Sequence, residues 1–86
     1  MSEISKVKLL RDLMEFLQAS QVNFALKSVK KRKNSVFATV EVAEAEAGFF
    51  LVYLCEKDYL GVDFSCSPLP EGCIVEISFP IGFFEY

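Results

Sequence analysis

Phe49-Phe50-Leu51-Val52-Tyr53-Leu54-Cys55 is the longest apolar run in the chain, bounded by Gly48 and Glu56. A strand with one wet face alternates apolar and polar residues, and this run does not. An unbroken run of this length reads as a strand covered on both faces. The reading puts a strand at about 49–56 in the centre of a sheet and asks what covers its second side.

Working outward, the segments on either side keep a period of two. Val22, Phe24 and Leu26 alternate with Asn23, Ala25 and Lys27, which gives a strand at about 22–30. Val36, Ala38, Val40 and Val42 form one clean apolar face of a strand at about 35–42. Asn34 and Ser35 are turn formers and make the connection between these two a hairpin. Residues 43–48, Ala-Glu-Ala-Glu-Ala-Gly, read as a loop or as one helical turn closed by Gly48. Leu60, Val62, Phe64 and Cys66 alternate over a strand at about 60–66, and Cys73, Val75, Ile77 and Phe79 over one at about 73–79. Ser67-Pro68-Leu69-Pro70-Glu71-Gly72 reads as the loop between them.

The N-terminal segment changes period. Ile4, Val7, Leu10, Leu13, Met14 and Leu17 follow steps of three and four, widened by Leu9 and Phe16, so about 3–19 reads as an amphipathic helix capped by Ser2. The expected fold is a single α+β domain over 1–86. Its helix lies on a strongly curved antiparallel meander of about five strands, because the connections look too short for parallel crossovers. A helix of that length covers about 25 Å by 10 Å, whereas five strands span roughly 20 Å or more across. The sheet must therefore curl, or a partner must cover the remainder.

Composition points the same way. Hydrophobic residues make up 52% of 86, with a mean hydropathy of +0.32. A chain this short buries only about 60–65% of its unfolded surface, so an apolar excess has to fill the core or meet a partner. Net charge is −3, unevenly spread: residues 1–33 hold eight basic and three acidic side chains, residues 34–86 one basic and nine acidic. In a net acidic chain this asymmetry is read first as attraction between the two halves. Three cysteines give no even disulfide framework and read as reduced thiols, with a Cys66–Cys73 bridge left open as an alternative. The charged amphipathic start and the short apolar runs predict a cytoplasmic protein with no signal peptide and no membrane partner.

The chain has no histidine, which removes the commonest neutral-pH base and metal ligand and with them any Ser-His-Asp or Cys-His arrangement. No C-x-x-C pair and no Gly-rich phosphate loop is present, and Glu41, Glu44 and Glu46 read as solvated acids. No enzyme, cofactor or metal is expected. The first functional expectation is a small noncatalytic protein-interaction domain acting as an adaptor, inhibitor or accessory subunit. It would form a homodimer, or meet another protein, through the sheet face and Phe49, Leu51, Tyr53, Phe83, Phe84 and Tyr86. The alternative is a nucleic-acid-binding module whose hairpin presents Lys27, Lys30, Lys31, Arg32 and Lys33 to phosphates, with Phe37 or Tyr59 stacking on bases. A lower alternative is a carrier for a small apolar ligand, should the sheet curl around a cavity.

Overall fold

The computed structural model describes residues 6–84. Helix α1 (Lys6–Gln18) is followed by the hairpin β1 (Phe24–Lys31) and β2 (Ser35–Ala43). Helix α2 (Glu44–Glu56) and a 3-10 turn (Asp58–Leu60) lead into the hairpin β3 (Asp63–Leu69) and β4 (Gly72–Pro80), and a second 3-10 turn (Ile81–Phe83) follows. The α+β class, the N-terminal helix and the antiparallel sheet agree with the sequence pattern. The sheet has four strands, not five, in the order β1-β2-β4-β3. Ser2 and the start of the expected N-terminal helix lie outside the described residues.

The difference lies in the opening run. Residues 49–55 belong to α2 and are not a central strand. Ala45, Ala47 and the flanking glutamates are strong helix formers, and Glu44 and Glu46 sit in the first turn, where the helix dipole favours negative charge. Gly48 lies inside the helix and does not close it. The start is fixed by a backbone bond from Glu44 N–H to the Glu71 carbonyl, 3.2 Å away in the β3–β4 turn. Phe50 and Leu54 are fully buried, while Ala47 and Leu51 pack on the core from the same side. That set recurs at three and four residues, as a helix requires.

The helical run also changes the topology. β2 and β3 both pair antiparallel with β4, so they are parallel to each other with β4 between them. Such a pair needs a crossover, and residues 44–62 supply it, α2 being its helix. The meander is therefore replaced by two hairpins joined through α2. β3 begins later than its alternation implies, because Leu60 belongs to the preceding 3-10 turn, and it runs on through Pro68, which stands opposite Cys73. An edge strand accepts a proline whose missing N–H faces away from the ladder.

The core lies between the two helices and one face of the sheet. β2 contributes Val36, Ala38, Val40 and Val42, and β4 contributes Cys73, Val75, Ile77 and Phe79, all buried. α1 adds Leu9, Leu13, Phe16 and Leu17. In β1 the register slips between Leu26 and Ser28, so Val29 pairs with Ala38 and packs on the core although simple alternation puts it outside. Gly72 is required by close approach: a Cβ there would stand 2.3 Å from the Val42 carbonyl oxygen.

Adjacent phenylalanines give the helix its sharpest test. In a doubly covered strand both would be buried, whereas in α2 Phe50 is buried and Phe49 is 73% exposed. Phe50→Ala should cost about 3–5 kcal/mol in chemical denaturation. Phe49→Ala should stay within about 0.5 kcal/mol. Equal losses at the two positions would contradict the helix.

Candidate interaction surfaces

The six residues expected at an interface are not gathered on one surface. Phe84 is 1% exposed and Phe83 is half-buried. With Phe16 and Phe79 they form a cluster of tilted and edge-on rings whose centroids lie 5.0–5.5 Å apart. The tail thus closes over the helix side of its own chain, held by Ile81 N–H to the Asn34 carbonyl (3.0 Å) and by Lys8 Nζ to the Phe84 carbonyl (3.2 Å). Leu51 packs on the core. Tyr53 stacks at a tilt on Phe16 and donates its hydroxyl to the Phe16 carbonyl, joining α2 to α1. Burial, then the neighbouring Tyr59, raises the Tyr53 pKa. Tyr86 lies outside the described residues.

Phe49 remains, and it has neighbours that the strand reading hid. On α2 the exposed positions are Glu44, Ala45, Gly48, Phe49, Val52, Cys55 and Glu56, and from Ala45 to Glu56 they recur at three- and four-residue steps, an apolar stripe ended by Glu56. Val52 is 59% exposed, and Tyr59, in the turn beyond the helix, is 77% exposed. Gly48 has open space where a Cβ would stand. The signal for this stripe was its helical spacing, masked because the buried face of α2 is apolar too.

The second surface is the sheet face turned away from the helices. The register sets out its rows: Lys30-Phe37-Ser78-Asp63, then Ser28-Thr39-Glu76-Ser65, with Glu41, Ile74 and Ser67 beyond. The face is largely polar, and Phe83 and Phe84 pack on the other side of the sheet. At its hairpin end Lys30, Arg32, Lys33, Asn34, Ser35, Phe37 and Glu76 line an open depression of about 570 Å³.

The structure divides the basic hairpin. Lys27 pairs with Glu41 at 3.3 Å. Lys31 stands opposite Val36 and so is turned to the other side of the sheet from Lys30. Among the described residues, Lys30, Lys31, Arg32 and Lys33 form no ion pair. The expected attraction between basic and acidic halves is thus made by Lys27 with Glu41 and not by Lys30, Lys31, Arg32 or Lys33. Among the described residues no group of three or more Cys, Asp or Glu side chains is placed to hold a metal ion, and no helix is long and apolar enough to cross a membrane.

All three cysteines are free; Cys55 and Cys66 are exposed and Cys73 is buried. Burial, then a hydrogen bond with Cys66, then the charge of that neighbour push the Cys73 thiol up to about 11. The unfolded chain gives up this proton first, so the group's contribution to stability is full below the ordinary thiol pKa of about 8.5 and falls as pH rises beyond it. Iodoacetamide at about pH 8.5 should label Cys55 and Cys66 of the folded protein far faster than Cys73, with peptide mass mapping as the readout. Comparable labelling of Cys73 would contradict its burial. No family model matches the chain, and no curated protein or solved structure matches it with significance.

Proposed function

We propose that this protein is a small noncatalytic interaction domain that self-associates through the outer face of α2. The observation that carries the reading is the stretch 47–55 of α2, without a charged residue on any side of the helix and with one side uncovered. A helix of that character is normally buried on every side. Here Phe50 and Leu54 satisfy the inner face, while Phe49 and Val52 stand in solvent.

The stripe favours a second copy as its occupant. Its first turn is small (Ala45, Gly48), its middle carries Phe49 and Val52, and Tyr59 stands in the turn beyond the helix. Antiparallel pairing about a two-fold axis near Val52 sets the small first turn of each copy against Tyr59 of the other and brings Phe49 of each copy over the C-terminal turn of its partner. It also opposes the two helix dipoles and brings Lys57 towards Glu44 and Glu46 of the other copy. Fully burying Phe49 and Val52 is worth roughly 1.5–3 kcal/mol each. Over two copies that gives about 6–12 kcal/mol, against an association cost of about 4 kcal/mol or more. The dimer is therefore of micromolar affinity or weaker. In this reading the chain acts in the cytoplasm as an adaptor or accessory subunit, where its exposed thiols stay reduced.

Sedimentation equilibrium between about 10 and 500 µM should show the mass rising from 9.7 kDa towards twice that value. Phe49→Asp, which removes no core contact, should hold it at the monomer mass with unchanged circular dichroism. A wild-type protein monomeric throughout, or a dimer indifferent to Phe49→Asp, would overturn the reading.

A further inference from the structure

We propose that the depression at the β1–β2 tip is a binding site for single-stranded nucleic acid. Its cations hold phosphates, Phe37 stacks on a base and Glu76 accepts from the base edge. The site lies across the sheet from α2 and does not depend on self-association.

Three features meet there. The first is charge without partners: Lys30, Arg32 and Lys33 line the depression, and among the described residues none makes an ion pair. β1 is an edge strand, and lysines on its edge discourage pairing with other chains. That accounts for Lys27, Lys30 and Lys31. It does not account for Arg32 and Lys33, which lie in the connecting turn. The turn is a fixed feature: Arg32 N–H bonds the Ser35 carbonyl at 2.7 Å, and the Asn34 carbonyl accepts from Ile81. Two unpaired cations on a defined turn and Lys30 on the strand beside it form an anion site that loses no internal salt bridge on binding.

The second feature is an aromatic ring on a wet face. Phe37 is half-buried in the depression, directly across from Lys30, where the strand's other outward residues are Ser35, Thr39, Glu41 and Ala43. A lone phenylalanine among small and polar residues contributes little to any core. Beside phosphate-binding cations it is a platform for an unstacked base. A duplex keeps its bases stacked and cannot use the ring, so the ring selects single strands.

The third feature is Glu76, opposite Thr39 and diagonal to Phe37 on the same face. A carboxylate repels phosphate and would be misplaced in a general polyanion site. It accepts hydrogen bonds from amino and imino groups on a base edge. Guanine presents two adjacent donors there, whereas uracil and thymine present one imino donor between two carbonyl acceptors. The site should therefore prefer guanine to uracil.

Fluorescence anisotropy with labelled RNA and DNA of about 12 nucleotides tests this within the span one small fold covers. Alternating guanine–uracil strands should bind more tightly than uracil-only strands, and both more tightly than duplex of equal length. Three phosphate contacts predict about a 20-fold loss between about 50 and 200 mM salt. Phe37→Ala should weaken binding about tenfold. Arg32→Glu with Lys33→Glu, in the turn and clear of the core, should abolish it. Glu76→Gln should erase the preference for guanine without weakening uracil-only strands. Binding of a labelled strand by Phe49→Asp protein should match wild type, which separates this site from self-association. No binding at about 50 mM salt, or binding that heparin matches and Phe37→Ala leaves unchanged, would overturn the proposal.

Discussion

Phe50 and Leu54, buried against the inner faces of β2 and β4, hold the two halves of this fold together. The chain leaves β2 and has to re-enter the sheet at β3, parallel to β2 and one strand further out. A tight turn cannot make that connection, and the helix that makes it must lie on the sheet it crosses. α2 does so with two large side chains from one face, and its N-terminus is bonded to the turn of the hairpin it introduces. Tyr53 then ties α2 to α1, and the ring cluster of Phe16, Phe79, Phe83 and Phe84 closes the opposite end. Removing the inner face of α2 would leave two hairpins joined by the β2–β4 ladder and covered by α1 alone.

Legibility in the sequence followed the contrast between apolar and polar neighbours. β2 and β4 alternate cleanly, and their inward residues are those the alternation names. α1 shows a helical stripe against charged residues. The run 49–55 has no such contrast, because one face of α2 meets the core and the other is also apolar. Period cannot be read from a segment apolar at every position, and the preceding Ala-Glu-Ala-Glu-Ala was the only local sign of a helix. Simple alternation along β1 puts Val29 on the outer side, but the bulge after Leu26 adds a residue and inverts the parity of everything beyond it. The terminal aromatics had to be tied down on composition alone, but which side they covered was a matter of tertiary contact. Of the candidate surfaces, the basic cluster could be found from sequence. Its division by the pleat, and its meeting with Phe37 and Glu76, required the register.

The uneven charge takes on a different meaning once the strands are placed. The hairpin tip lies at the end of the sheet where Ser35 pairs with Pro80. Glu44 and Glu71 lie near the other end, where Ala43 pairs with Gly72. Nine-residue strands separate the two ends by roughly 30 Å. That is several times the Debye length of about 8 Å at physiological salt. The halves are oppositely charged in sequence, yet the tip and the far end do not neutralise each other in space. A net charge of −3 is therefore a poor guide to what the tip attracts, because an approaching ligand responds to the few charges within a Debye length of it.

The two proposed surfaces stand on opposite sides of the molecule, and this has a consequence for each. Pairing through α2 places the helices at the centre and turns both open sheet faces outward. The polar rows of Ser28, Thr39, Ser65 and Ser78 then suit an exterior, and the apolar excess of α2 becomes interior. The same arrangement carries two basic tips on one body. A site built from three cations and one ring is weak alone, and its salt dependence makes it weaker under physiological conditions. Two such sites joined through α2 raise the effective concentration of the second once the first is filled, provided the strand can span them. A short oligonucleotide meets one depression and reports its intrinsic affinity. In the proposed dimer a longer strand reaching both tips would gain from the second site, and the uncovered helix face and the charged turn would then act on one binding equilibrium although they share no contact.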